Sequence, residues 1–422
     1  MFNRIDEFIK QNEIIYKYQF GFRSGYSTNH ALLSIIEEIR SNLDKKTFSC
    51  GVFVDLEKAF DTVNHKILLE KLKFYGIKGL ANKWLNSYLS NRTQSVTLNG
   101  TVSNSLPVSC GVPQGSILGP LLFLIYINDM HSAFKDCKVH HFADDTNLLF
   151  SHKDPEIIRK TMNKELKLLF DWLCANRLSL NVAKTEFIIF RPPFNRGLKN
   201  RITLELNKTK IHESTKIKYL GLILDRKLAW NHHISELSKK LSRAVGMLYK
   251  IRDFTPKRVL KSLYHSLFGS HLAYGLPVWG YASKLYTSRI KTLQKRAIRA
   301  ITFSSYTAHT KPLFKDLDIL PFDNLLFHKM SSLMWDVDKN ILPLSLSSYF
   351  KKRDQVHDFN TRQASSGKYH IQAKNTIKYG VNSFQNKGAL ILNELKDMDI
   401  YSNARTKKQF LNNLKIYLTN AD

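Results

Sequence analysis

Two adjacent carboxylates, Asp144 and Asp145, stand between β-prone arms, Val139 to Ala143 and Thr146 to Phe150. Arms of that β-branched and aromatic content read as strands, and an Asp-Asp link is short enough for a two-residue hairpin turn with both acids at its tip. Such a turn is also ordinary by itself, because Asp bonds its own backbone in turns and is well solvated there. A third carboxylate changes the weighing. The apolar run Cys50-Gly51-Val52-Phe53-Val54 delivers Asp55 at its end, and a strand-end Asp can meet a hairpin-tip Asp on one sheet. Hard divalent ions such as Mg²⁺ or Mn²⁺ take oxygen ligands, and a pair about 4 Å apart stabilises the attacking and the leaving oxygen of an in-line phosphoryl displacement. Two or three converging carboxylates are what that chemistry requires.

The elements that must position these acids are readable from periodicity. Ile5, Phe8 and Ile9 repeat at helical spacing, and Leu32, Ile35, Ile36 and Ile39 line one face of a helix over 31–43. Between them, Gly21 to Thr28 is rich in glycine and hydroxyls and holds Arg23. That composition suits either a phosphate-contacting loop or a plain interhelical turn. Leu56 to Asp61 reads as a turn into a helix running to Gly76, and another helix follows over 81–89. Phe60, at the start, is by composition a core aromatic. Ser109 to Pro120 is too dense in Gly and Pro for a helix, and the apolar run Leu121 to Ile127 that follows suits a buried strand. Asp154-Pro155 starts a helix whose apolar face is Ile158, Met162, Leu166, Leu169 and Leu173, and the stretch after it ends in a strand at Ile188-Ile189-Phe190. Lys184 lies just before that strand, either as a solvated surface lysine or as an ammonium able to protonate or neutralise a leaving group.

Composition sets the outer bounds. A chain of 422 residues can hold two or three domains. Its net charge of +29 implies a polyanionic partner, nucleic acid or a membrane surface. No apolar run approaches the roughly 20 residues needed to span a bilayer, and residues 1–7 lack an apolar secretory core, so a soluble intracellular protein is expected. The four cysteines, Cys50, Cys110, Cys137 and Cys174, show no Cys-x-x-Cys spacing and read as reduced thiols. His140-His141 makes a poor chelating pair, since neighbours on a strand point to opposite faces. From Arg191 to Leu260 there are 17 Lys or Arg against 5 Asp or Glu, interleaved with Tyr219, Trp230 and Tyr249. An amphipathic helix through Ile234, Leu237, Leu241, Val245 and Leu248 carries Lys239, Lys240 and Arg243, and another over 290–301 carries Lys295, Arg296 and Arg299. For any one such helix, a solvated charged face is the plain alternative. Beyond Ser347 the chain reads as basic and loop-rich, then helical near 410–418.

Phe142-Ala143-Asp144-Asp145 resembles the Phe/Tyr-x-Asp-Asp box of reverse transcriptases, and Phe53 to Asp61 resembles their first palm motif. Gln19-Phe20-Gly21-Phe22-Arg23, Gly111-Val112-Pro113-Gln114-Gly115-Ser116, Asn181-Val182-Ala183-Lys184-Thr185 and Tyr219-Leu220-Gly221 agree in order and spacing. The chain is thus similar to the polymerase of non-LTR (LINE-type, jockey-like) retrotransposons. That resemblance implies an α/β (α+β) right-hand fold: partial fingers and an antiparallel palm sheet over 1–225, a basic helical thumb over 226–346, and a C-terminal region of unread role over 347–422. It implies Asp55, Asp144 and Asp145 as ligands of Mg²⁺ or Mn²⁺, with Lys184 acting on departing pyrophosphate. Phe60 would gate against a ribose 2′-hydroxyl, while Gln114, Gly115 and Arg23 would lie at the nucleotide, and the run 121–127 would be helical. Tyr219, Gly221 and the basic thumb residues would grip nucleic acid. The implied partners are an RNA template, a DNA primer and deoxynucleoside triphosphates, in a cytoplasmic or nuclear ribonucleoprotein. Only 18 residues precede Gln19, so the finger sequence that orients the triphosphate is expected to be missing and extension to be slow. The rival readings are a catalytically impaired relic that only binds nucleic acid, and another palm polymerase of maturase-like or RNA-copying-RNA type.

Overall fold

Strand-forming residues concentrate in a few short runs, and in the computed structural model five of them build one sheet. The structure describes residues 1–192, 202–356 and 367–420; parts of the basic stretch after Phe190 and of the C-terminal region lie outside them. The sheet order is His212–Glu213, Glu186–Phe190, Phe48–Val54, Asp145–His152 and Lys138–Phe142. The two strands that carry the acids are antiparallel neighbours, paired from Phe48↔His152 to Val54↔Thr146. Because side chains alternate, Cys50, Val52, Val54, Leu148 and Val139 fall on one face. There they share a core with Ile158, Met162, Leu166, Leu169 and Leu173 of the helix Pro155–Ala175, which Asp154 caps through Glu156 N (2.8 Å).

The hairpin itself departs from the sequence expectation by one residue. Its strands are Lys138–Phe142 and Asp145–His152, with Phe142 paired to Asp145, so the turn is Ala143-Asp144 and not Asp144-Asp145. Asp145 is the first residue of its strand. Ala143 takes φ +56, the left-handed conformation that a two-residue hairpin turn demands at its first position in the type II′ pattern. The run 121–127 is helical, within Leu118–Ile127, as the family resemblance implies. Every residue from Leu121 to Ile127 is buried, and a helix covered on all sides carries no amphipathic signature to separate it from a buried strand.

The chain divides into two compact units. One comprises Met1–Ala31, Thr47–Ile189 and residues 202–214; the other comprises Leu32–Lys46, residues 190–192 and the described residues from Thr215 on. The second unit holds the hairpin Lys216–Tyr219/Leu222–Asp225 and the long helices Asn231–Ile251 and Lys284–Ile301, which pack on each other. The C-terminal region is less loop-rich than its composition suggests: Phe384–Lys396 is a helix burying Phe384, Ile391, Leu392 and Leu395, as well as the expected helix Lys407–Asn420. No helix among the described residues is long and apolar enough to cross a membrane.

Within the second unit, the buried Asp44 carboxylate accepts from Asn375 N (3.2 Å), Thr376 N (2.8 Å) and Thr376 Oγ1 (2.7 Å). Asp44→Ala leaves those donors without an acceptor and should cost about 1.5–3 kcal/mol, read as a lower urea midpoint at unchanged slope. A loss below about 0.5 kcal/mol would contradict this account of how the C-terminal segment is tied down.

Candidate active site

Register puts the acids together. Val54 pairs with Thr146, so continuing the antiparallel ladder by one step sets Asp55 across from Asp145, on the face opposite the helical core, with Asp144 in the turn beside them. The Asp145 carboxyl is pushed up to about 6, first by burial of the group and then by the negative charges of Asp144 and Asp55. Lys184 Nζ lies 3.9 Å from Asp55 Oδ2, an exposed and weak pair, so the structure does bring Lys184 to the acids. Among the described residues no three histidine, cysteine or acidic side chains stand close enough to hold a metal ion as they are. The donors are nevertheless all carboxylate oxygens, the kind that Mg²⁺ and Mn²⁺ prefer, and a cation would relieve the repulsion felt at Asp145.

Backbone contacts from two distant segments fix this arrangement. Asn181 N donates to Asp55 O (2.9 Å), Asp55 N to Thr185 Oγ1 (3.4 Å), and Thr185 Oγ1 to Asn181 O (2.9 Å). The Asn181–Thr185 loop thereby closes over the strand end and presents Lys184. On the other side, residues 18–20 run along the open edge of the hairpin: His141 N donates to Tyr18 O (2.9 Å) and Phe20 N to His141 O (2.8 Å). Gly21 packs so tightly there that a Cβ would lie 2.2 Å from Ala143 N. Nothing in sequence spacing singles out Gln19, Asn181 or Thr185 for these tasks.

Phe60 stacks on Phe123 (4.3 Å between centroids) and meets Phe22 edge-on (5.9 Å), half-buried between core and surface. Gln114 Nε2 donates to Asp61 Oδ1 (2.8 Å), and Gly115 is exposed at φ +82. Gln114 borders a groove of about 650 Å³ also lined by Lys58, Asp61 and Arg92. The two cations escape sequence reasoning because the helices His65–Phe74 and Gly79–Leu89 separate them in the chain. Arg23 is placed elsewhere than expected: its Nη1 donates to the carbonyls of Tyr16 (3.2 Å) and Gln19 (3.1 Å), and its guanidinium lies over Tyr26 (4.0 Å), so it braces its own loop.

In the second unit the expected nucleic-acid residues divide. Tyr219 is only 4% exposed, because it shares the inward face of its strand with Ile217, and so offers no stacking surface. Gly221 takes φ +80 in the Leu220-Gly221 turn, packed on Tyr274, a position that demands glycine for its backbone. Lys239, Lys240 and Arg243 are exposed along the helix Asn231–Ile251, Lys239 pairing with Glu236 (2.7 Å). Lys295 is exposed on Lys284–Ile301, whereas Arg296 donates to Tyr306 Oη (2.7 Å) and Arg299 to Ala308 O (2.9 Å).

A sheet that ends in these acids, with a helix layer behind it, is the palm of a right-hand polymerase. The family model described as reverse transcriptase (RNA-dependent DNA polymerase) matches residues 1–224, and the chain belongs to that family, whose members use divalent metal ions. It is 29% identical over 335 residues to the probable RNA-directed DNA polymerase from transposon BS of Drosophila melanogaster, covering 75% of this chain and 36% of the relative. Against the RNA-directed DNA polymerase from mobile element jockey of the same fly it is 29% identical over 319 residues, 72% of this chain and 34% of the relative. The X-element polymerase of that organism is 27% identical over 341 residues, 77% of this chain and 36% of the relative. The chain spans about a third of the length of these relatives.

Beneath the turn, His140 and His141 are buried, and burial holds both imidazoles neutral: His140 well below the ordinary range and His141 down to about 3. Their folded values lie below the unfolded value near 6.5, so unfolding takes up protons between the two. Stability should therefore be full above about pH 6.5 and fall steadily as the pH drops toward 3. A urea midpoint that stays flat or rises from pH 7.5 to 4.5 would contradict the buried neutral pair.

Proposed function

We propose that this chain catalyses RNA-templated addition of deoxynucleotides to the 3′-hydroxyl of a DNA primer, as the polymerase of a LINE-type element. The observation that carries the reading is the convergence of Asp55, Asp144 and Asp145 at one end of the sheet, with Lys184 Nζ 3.9 Å from Asp55. In it, Asp55 and Asp144 hold Mg²⁺ or Mn²⁺ and Asp145 supports them. When bound, a pair of such ions supplies charge stabilisation at the attacking and leaving oxygens. Lys184 neutralises or protonates the departing pyrophosphate. Phe60, held by Phe123 from behind, lies under the sugar of the incoming nucleotide and leaves no room for a 2′-hydroxyl. Gln114 and Gly115 face the nucleotide and template base, and Lys58 and Arg92 in the groove that Gln114 borders suit its phosphates. The exposed Lys239, Lys240, Arg243 and Lys295 bind the template-primer backbone, an attraction that weakens as salt rises.

Asp55→Asn and, separately, Asp144→Asn should abolish primer extension on an RNA template while leaving template-primer affinity within a few-fold. Each change removes a metal-holding charge and barely alters volume. A correctly folded variant that extends at the parental rate would sink the metal assignment. Parental protein that binds template-primer without extending it, in Mg²⁺ or Mn²⁺, would favour a purely nucleic-acid-binding role.

A further inference from the structure

One side chain satisfies both main-chain groups of the residue that turns the acidic hairpin. Gln19 Oε1 accepts from Ala143 N (3.0 Å), and Gln19 Nε2 donates to Ala143 O (3.3 Å). The same Oε1 accepts from Gly21 N (2.8 Å), which ties the carboxamide to its own segment. Gln19 is 3% exposed, so no water competes for these bonds. Ala143 needs the help. Its φ of +56 is a left-handed conformation that strains an L-residue with a Cβ, and no glycine or asparagine is there to relieve it. The next two residues are Asp144 and Asp145, so any relaxation of Ala143 toward negative φ swings the carboxylates away from Asp55.

We propose that Gln19 is a positioning residue for the polymerase reaction: its carboxamide clamps Ala143 in the left-handed turn and so aims Asp144 and Asp145. The inference rests on the reading of those aspartates as metal-holding groups. The extended segment of residues 18–20 and the tight approach of Gly21 supply the platform, and Gln19 supplies the two bonds that select the turn conformation. Thr146 supports the far side, its hydroxyl donating to Asp144 O (3.3 Å) and lying 2.9 Å from His141 Nδ1.

Gln19→Leu, which keeps the side chain's bulk and removes both bonds, should lower kcat for extension roughly 10- to 100-fold, the scale of a misplacement near 1 Å. The template-primer KM should stay within a few-fold. The discriminating variant is Gln19→Leu combined with Ala143→Gly: glycine adopts positive φ without strain, so the turn holds unclamped and most of the lost kcat should return. A purely structural role for Gln19 predicts no such rescue. Parental extension by Gln19→Leu, or a double variant no better than the single one, overturns the proposal. Amide hydrogen exchange decides it even if the parent chain does not extend primers, an outcome that would count against the polymerase reading alone. Exchange at residues 142–145 should be at least about tenfold faster in Gln19→Leu than in the parent, with Val52 unchanged as internal reference. Unchanged protection at the turn would refute the clamp directly.

Discussion

Carboxylates brought together repel one another, and that repulsion is the constraint to which the first unit of this protein answers. It adds to the burial that already pushes the Asp145 carboxyl up. Side-chain packing cannot hold like charges in place, so the work falls to the backbone. Asp55 is anchored by Asn181 and Thr185, the Ala143-Asp144 turn by residues 18–21, and the two strands by a continuous seven-pair ladder from Phe48↔His152 to Val54↔Thr146. Behind the sheet, the largely buried helix Leu118–Ile127 and the amphipathic helix Pro155–Ala175 supply the apolar burial that offsets this electrostatic cost.

Several residues of the family motifs are taken up by the local structure of their own unit. Gly21 is small because the hairpin backbone lies against it, and Arg23 reaches back to the carbonyls of its own loop. Tyr219 and Gly221 build the turn of a small hairpin in the second unit. Motif residues of this kind make the scaffold reproducible, while the exposed Lys239, Lys240, Arg243 and Lys295 carry charge on helix faces whose opposite sides are core.

Much of this was legible in residue order, for identifiable reasons. The β-branched and aromatic arms on either side of Asp144 and Asp145 and the apolar run ending in Asp55 are local signals, so the strands and the meeting of the acids follow from them. The one-residue shift of the turn onto Ala143-Asp144 was not legible, because the side chain that stabilises it, Gln19, lies 124 residues away. Lys58 and Arg92 share a groove only after the intervening chain folds out and back. The burial of Tyr219, by contrast, was available from the alternation Lys216-Ile217-Lys218-Tyr219, in which tyrosine falls in phase with the apolar residue. Composition favoured a stacking role there and the strand period overrules it.

The central claim is that the tip of the hairpin and the end of the Phe48–Val54 strand form one cation-holding centre. Crystals of the protein with template-primer and a non-hydrolysable deoxynucleotide, grown in Mn²⁺ and measured at the manganese absorption edge, test it most directly. The account predicts two anomalous peaks about 4 Å apart, contacted by the carboxylates of Asp55 and Asp144. Nucleotide bound with no peak at those carboxylates, or manganese held by other residues, would contradict it.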